Sequence, residues 1–402
     1  LSTSSAASTG RNKKVIRNNI LKVSSALIGL VILSSTLTGC SAPASEATIV
    51  EVSQNADSCT FSATEIPAGL VKFAVTNNSE NTNEFYLLAA DKITVLGEIE
   101  SVAAATTRNL LKTLEAGDYF GRCKTSAGKT IAYVPFTVSG DLAAELAETP
   151  AERKVSDAYA AWVTQQAKDL LDGTRAFAAA VKAGNVALAK SLYDKTRWHW
   201  EAIEPVAESF GDLDPILDAR EGDLEPGTPW TGWHALEKQL WITGLQADAT
   251  TLADGLVANT AELVERIPTV RFNVLDMANG SKALLDEVAT GKITGEEERY
   301  SRTDLVDFAA NIHGARKIVT LVSPLFTNQD DKTYLGDLLA RFDELEAALF
   351  MHSADASADK SKYVAFVSYD ELTADQISDL AFLVEGVSEP IALLATKISS
   401  QS

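Results

Sequence analysis

A chain of 402 residues, of which 46% are apolar and 22% charged, is long enough to bury more than one hydrophobic core. Its formal net charge of −20 argues against a nucleic-acid partner, because such a partner requires a basic face. Three cysteines are too few for a fold built mainly on disulfides. An acidic surface is compatible with cation binding, but it is also a common means of staying soluble, so charge excludes classes without choosing one.

The N-terminal residues have the pattern of a lipoprotein signal peptide. Residues 1–22 contain five basic residues and no acidic one, and an apolar stretch follows at 26–33. Leu37-Thr38-Gly39-Cys40 comes shortly after this stretch. This order predicts a signal peptide with a lipobox at 1–39, lipidation of Cys40 and a flexible stalk at 40–47. We therefore expect a lipid-anchored protein on the outer face of the cell membrane, in the periplasm or cell-envelope space.

The next segment, 48–140, alternates apolar and polar residues with a period of two. Strands are predicted at 49–52, 71–75, 84–88 and 131–138, and turn residues such as Pro67-Ala68-Gly69 separate them. Short strands at this spacing predict a β-sandwich over 48–140.

After residue 150 the pattern changes to long Ala- and Leu-rich stretches with helical periodicity. Helices are predicted at about 152–183, 185–209, 232–245, 249–290, 303–324, 331–353 and 370–399. These predict an all-α helical bundle over 150–400. The segment 211–231 is the longest irregular stretch, and long loops in a compact bundle are often functional.

The sharpest chemical signal is a His-x-x-Glu pair. His234 and Glu237 would lie on one helix face and can share a cation, although a solvated pair is the more common occurrence of this spacing. Glu204 lies between apolar neighbours, and a buried carboxylate needs a cation or a donor. Together the three predict a mixed nitrogen and oxygen site for iron, zinc or manganese. Further oxygen ligands are available in the loop, from Asp214, Asp218 and Glu221.

Four blocks in this region resemble the EfeO-type iron-uptake proteins, whose helical domain is imelysin-like. They are WEAIEPVAESFGDLDP at 200–215, DARE at 218–221, TGWHALEK at 231–238 and GEEERYSRTDL at 295–305. The resemblance implies a cupredoxin-like sandwich, a metal site with His234 and Glu237, and less directly Glu204, Asp218 and a glutamate of 296–298. It also implies a membrane iron permease and a haem-peroxidase as partners in an EfeUOB-type system.

One position departs from the family pattern. Arg302 stands where the family has histidine in its Tyr-Ser-His-Thr-Asp-Leu block, so we expect it to pair with a carboxylate or an anion.

In the sandwich, Cys59 and Cys123 could form a disulfide or bind a metal. Residues 41–140 contain no histidine and no methionine, which argues against a blue-copper centre. An extracytoplasmic location favours a disulfide between the two cysteines. The alternative, to which the family resemblance gives weight, is a second metal site that uses both cysteines with Glu84 or Glu98 nearby.

The sequence thus favours a membrane-anchored lipoprotein that binds iron as Fe²⁺ or Fe³⁺, or zinc or copper, and captures iron for a permease. No catalytic residue is assigned, because His234 lacks the second histidine of the zincin pattern. The alternative function is an imelysin-like metallopeptidase with Glu201 or Glu208 as its base. A purely structural surface lipoprotein, with solvated acidic stripes, is the third possibility.

Overall fold

The computed structural model describes residues 47–92, 94–125, 129–141, 148–221 and 228–400. The predicted signal peptide, Cys40 and nearly all of the predicted stalk lie outside the described residues. Within the described ranges, no helix is both long enough and apolar enough to cross a membrane.

The first part of the chain folds into two β-sheets. The strands are β1 Thr48–Gln54, β2 Cys59–Phe61, β3 Glu65–Pro67, β4 Gly69–Asn77, β5 Asn83–Leu88, β6 Val95–Val102, β7 Thr107–Leu114, β8 Gly117–Thr125 and β9 Thr130–Ser139. One sheet has the order β2-β1-β4-β7 and the other β3-β9-β8-β5-β6. Pairing is antiparallel except between β1 and β4 and between β3 and β9.

Aromatic rings fill the space between the two sheets. Phe73, Phe85 and Phe136 are almost completely buried, and their ring centroids lie 5.7 to 5.8 Å apart in the pairs with Phe73. The alternating pattern of each strand places these side chains inward, because successive residues point to opposite faces. Cys59 and Cys123 are buried beside them and form a disulfide that joins residues 64 positions apart. The sandwich therefore has its own apolar core.

The second part of the chain is helical. The helices are α1 Pro150–Lys182, α2 Val186–Ile203, α3 Leu213–Asp218, α4 Gly232–Lys238, α5 Ala249–Arg266, α6 Val274–Thr290, α7 Asp304–Val322, α8 Gln329–Phe350, α9 Ala374–Ile391 and α10 Leu394–Ser399. The predicted fold class, a β-sandwich followed by an all-α domain, is confirmed.

Two predicted helices are each divided into two in the structure. The stretch 249–290 forms α5 and α6, separated by a 3₁₀ turn at Ile267–Thr269, since Pro268 has no backbone N–H to continue the helix. The stretch 370–399 forms α9 and α10, and the break follows Pro390. The segment predicted as irregular at 211–231 contains α3.

Helix α6 covers the open edge of the sandwich formed by β6 and β7. Lys112 Nζ of β7 lies 2.6 Å from Asp276 Oδ1, and Arg108 Nη1 lies 2.9 Å from Asp286 Oδ2. Asn279 Nδ2 donates to the backbone oxygen of Leu111 at 2.5 Å. An unpaired strand edge is a template for aggregation, so this helix both protects the edge and joins the two parts.

Candidate metal centre

Three segments of the bundle meet around His234. Asp218 ends α3, His234 lies in the first turn of α4, and Glu297 and Glu298 follow the 3₁₀ turn at Lys292–Thr294. Gly232 permits this arrangement, because it has φ +84° and a Cβ there would collide with the backbone carbonyl of Leu217. The two short helices can therefore approach closely enough to bring Asp218 and His234 together.

The two ring nitrogens of His234 have different environments. Nδ1 lies 3.0 Å from Glu237 Oε2. Nε2 is buried and has no hydrogen-bond partner among the described residues; its nearest carboxylate oxygens are Asp218 Oδ1 at 3.5 Å and Glu297 Oε1 at 3.7 Å. One ligand atom each from Asp218, His234 and Glu297 lies within 4.8 Å of the others. This is the geometry of a nitrogen and two oxygens facing a common point.

Glu237 is occupied by other donors. Its Oε1 accepts the backbone N–H of Tyr300 at 2.8 Å and of Ser301 at 2.6 Å, while Oε2 faces His234 Nδ1. A carboxylate that holds the far nitrogen of a metal-binding histidine fixes its tautomer and orientation. A second grouping, His234 with Glu237 and Glu298, also lies within 4.8 Å, but binding there would break the contact to Nδ1.

Arg197 of α2 lies beside this centre and is fully buried. Its guanidinium pairs with Glu201 and Asp218, and its Nε is 2.6 Å from Glu298 Oε1. Trp200 Nε1 donates to the other oxygen of Asp218 at 2.7 Å, which fixes that carboxylate in place. Asp218 therefore lies beside His234, but it shares its oxygens with an arginine that the sequence reasoning missed.

Glu204 binds a different cation. Lys292 Nζ lies 2.7 and 2.8 Å from the two carboxylate oxygens of Glu204 and 3.1 Å from Glu201 Oε2. Asn311 Nδ2 of α7 also donates to Glu204 Oε2, at 2.6 Å. The structure thus does not bring Glu204 into either grouping around His234, because a lysine that sequence reasoning did not anticipate satisfies it first.

Carboxylates outnumber permanent cations in this part of the bundle. They belong to Glu201, Glu204, Asp218, Glu237, Glu297, Glu298 and Asp307, against Arg197, Lys292 and Arg220, whose Nη1 lies 3.0 Å from Glu297 Oε2. Burial and the neighbouring Glu237 raise the pKa of Glu298 to about 8. Burial and Arg197 oppose charge on His234, yet its contacts with Glu237, Glu297 and Asp218 raise its pKa to about 10. The neighbouring carboxylates contribute to both shifts, and a bound cation would supply positive charge beside them.

The remaining predicted residues lie around the centre or away from it. Burial, and then the charge of Asp218, raise the pKa of Asp214 to about 7. Glu221 is exposed and pairs with Lys238 and the Tyr300 hydroxyl. Arg302 pairs with Asp370 at 2.8 Å. The side chain of Glu208 lies outside the described residues.

In the sandwich, the sulfurs of Cys59 and Cys123 are joined to each other. Glu84 Oε2 lies 2.8 Å from Lys124 Nζ and accepts the Tyr86 hydroxyl at 2.8 Å. These partners leave neither a thiolate nor an unpaired Glu84 carboxylate for the alternative, a second metal site in the sandwich.

Comparison with known proteins agrees with this architecture. The family model described as Imelysin matches residues 155–381, so the helical domain, with its buried histidine and carboxylates, is of the imelysin class. Proteins named iron uptake system component EfeO are similar over most of the chain. The Yersinia pestis protein is 35% identical over 366 residues, which cover 90% of this chain and 94% of that protein. The Escherichia coli O157:H7 protein is 33% identical over 354 residues, covering 86% and 90%. The chain belongs to the EfeO-type family.

Proposed function

We propose that this protein is an extracytoplasmic, membrane-anchored lipoprotein that captures iron for a membrane permease. The observation that carries the proposal is His234 Nε2, a buried ring nitrogen without a hydrogen bond that faces Asp218 and Glu297. Leaving such an atom unsatisfied costs about 1–3 kcal/mol, so its persistence is best explained by a ligand. The EfeO relatives are named as iron uptake components, which supports iron as the cargo.

The ligand set that we propose is His234 through Nε2, Asp218 and Glu297. One imidazole and two carboxylates suit Fe²⁺ and Fe³⁺, and zinc or copper would also accept them. In this proposal Glu237 orients the histidine and is not a ligand itself, while Glu204 is paired with Lys292.

A carrier is better supported than the alternative, an imelysin-like metallopeptidase. A peptidase needs a base with access to water and substrate. Glu201, one of the two bases that the sequence offered, is fully buried between Arg197, Lys292 and Asn311. Metal-dependent cleavage of a peptide library by the purified protein would overturn this preference.

The proposal also includes a lipid anchor and partner proteins at the membrane. The lipobox ending at Cys40 supports a tether to the membrane face, and the family resemblance supports an iron permease and a haem-peroxidase as neighbours in the uptake system. Mass spectrometry of the membrane fraction, comparing the native protein with Cys40→Ser, tests the anchor. An unlipidated, released native protein would contradict it.

The metal site is tested by calorimetry on the mature protein with Fe²⁺ under anaerobic conditions and with Fe³⁺ supplied as a weak chelate. We expect one ion per chain, and we expect His234→Ala to lower the affinity by about a hundredfold or more, since it removes a ligand. His199→Gln is the matched control, because that ring contacts Gln166 at 2.7 Å and not the cluster. Equal iron binding by all three proteins would remove the proposal.

A further inference from the structure

The half of the cluster around Lys292 resembles a cation site that is already filled. Lys292 is fully buried, and its Nζ is surrounded by carboxylate oxygens. Glu204 contributes two oxygens at 2.7 and 2.8 Å, Glu201 one at 3.1 Å and Glu297 one at 3.7 Å. Several oxygens from several carboxylates around one positive centre is the environment that divalent cations occupy in proteins.

Glu297 joins this half of the cluster to the proposed iron site. Its Oε1 is 3.7 Å from Lys292 Nζ and also 3.7 Å from His234 Nε2. Helical bundles that hold two metal ions place carboxylates from facing helices around both. Here the same carboxylate lies between an imidazole on one side and an ammonium group on the other.

Asn311 supplies an observation that the lysine does not explain. Its side chain is fully buried within the cluster, and Nδ2 donates to Glu204 Oε2 at 2.6 Å and to Glu201 Oε2 at 3.0 Å. Its Oδ1 has no hydrogen-bond partner in the part of the chain that the structure describes. An amide oxygen is a ligand for hard cations, and this unpartnered one belongs to a residue whose amide nitrogen contacts both carboxylates.

We propose that Lys292 fills a second cation site with its own ammonium group and thereby restricts the bundle to a single metal ion. The inference rests on the proposed function for the identity of the first ion. A tethered cation supplies Glu201 and Glu204 with one permanent positive charge and prevents a second ion from sharing Glu297. Two metals at bridging distance, about 3.5–4 Å, can act together on oxygen ligands, whereas a single ion beside a lysine cannot.

The test is the Mn²⁺ content of the mature protein, measured by elemental analysis after gel filtration and by electron paramagnetic resonance. The wild type should hold one ion with an isolated Mn²⁺ signal. Lys292→Met should hold two, with the signal altered by spin coupling between them. Lys112→Met is the matched control, since that lysine is also largely buried and pairs with Asp276, but at the sandwich interface; it should hold one. A Lys292→Met protein that binds no more Mn²⁺ than the wild type overturns the inference.

Folding and the first site are controlled separately. Without metal, Lys292→Met should melt at a lower temperature because its buried carboxylates lose a counter-charge, and Mn²⁺ should raise its Tm more than that of the wild type. Lys292→Gln, which keeps a donor without the charge, is measured in parallel. If both variants stay unfolded in Mn²⁺, a metal cannot replace the ammonium and the inference fails.

The double variant His234→Ala, Lys292→Met separates the two proposals. It should keep one ion, bound in the Lys292 half of the cluster. A wild type that binds nothing, with a gain in Lys292→Met, would contradict the proposed function alone. Loss of the wild-type ion in His234→Ala, without any gain in Lys292→Met, would contradict the second-site inference alone.

Discussion

The sandwich and the helical bundle solve the problem of a core in opposite ways. The sandwich interior is apolar, with phenylalanine rings packed around a disulfide. The bundle also has a large apolar core, but its centre contains Arg197, Lys292 and a group of carboxylates. Buried ion networks are weak contributors to stability, because desolvation offsets their attraction. The contrast teaches that the sandwich is arranged for stability, whereas the bundle keeps a costly polar centre for a purpose that stability alone does not explain.

Removing the disulfide tests whether it stabilises the sandwich without affecting the bundle. A bridge between residues 64 apart in sequence lowers the conformational entropy of the unfolded chain, which raises the free energy of unfolding by about 4 kcal/mol at 25 °C. Cys59→Ala with Cys123→Ala should therefore destabilise the sandwich by about that amount and leave iron binding unchanged. Hydrogen exchange measures the loss in the strands, and tryptophan fluorescence reports the helical domain, since all six tryptophans lie beyond residue 160. A loss of iron binding would show that the two regions are not independent.

A glycine substitution should break the bundle by overpacking. A Cβ on Gly280 of α6 would collide with the backbone carbonyl of Pro205, which follows Glu204. Gly280→Ala should cost about 2–3 kcal/mol of unfolding free energy, because rigid backbone must move. Gly255→Ala on α5 is the control: no neighbour lies within 4 Å, so the better helix former should stabilise by about 0.5–1 kcal/mol. Chemical denaturation followed by tryptophan fluorescence measures both. Equal effects would contradict the close contact.

Glu237→Gln sharpens the account of the metal centre. If Glu237 orients His234, its loss should lower iron affinity by about 10–100-fold, less than His234→Ala does. If instead Glu237 binds the metal, both variants should lose similar affinity. Calorimetry on the two variants beside the wild type distinguishes these outcomes.

The smallest effect is expected at the ion pair of Glu84 with Lys124 on the sandwich. Lys124 is partly exposed although Glu84 is buried, and glutamine keeps an oxygen that can accept the Tyr86 hydroxyl, so Glu84→Gln should change stability by about 1 kcal/mol. Its metal content should match the wild type, because Lys124 and Tyr86 already occupy the carboxylate. A second equivalent of metal lost in this variant would revive the alternative site in the sandwich.

The fold class could be predicted from the sequence more completely than the site. Periods of 2 and 3.6 residues predicted a sandwich and helices, but several helix ends differ: a turn at Pro268 divides one predicted helix, and α4 already ends at Lys238, where a π-helical turn follows. His234 and Asp218 were predicted from local spacing and family resemblance, and the structure places them side by side. Glu204 was predicted to join His234, whereas the structure places it against Lys292, and nothing local in the sequence shows that this lysine, 88 residues later, reaches it.

The sequence does contain a signal for Arg197. Arg197 and Glu201 are four residues apart on one helix face, which is the spacing of an ion pair. Its burial was not visible, however, since a basic residue in a helix is usually exposed. Asn311 and Asp307 could not be predicted as part of the cluster either. They lie on a largely apolar helix, and only the tertiary packing places them in the cluster.

Helix α6 gives the two regions a mechanical connection. Its first turns hold β7 through Asp276 and Asn279, and its C-terminal end passes through Gly291 directly into Lys292. A helix of 17 residues is a stiff rod of about 25 Å, so it transmits displacement instead of absorbing it. A displacement of the sandwich that moves this helix is therefore expected to move the ammonium group of Lys292 as well.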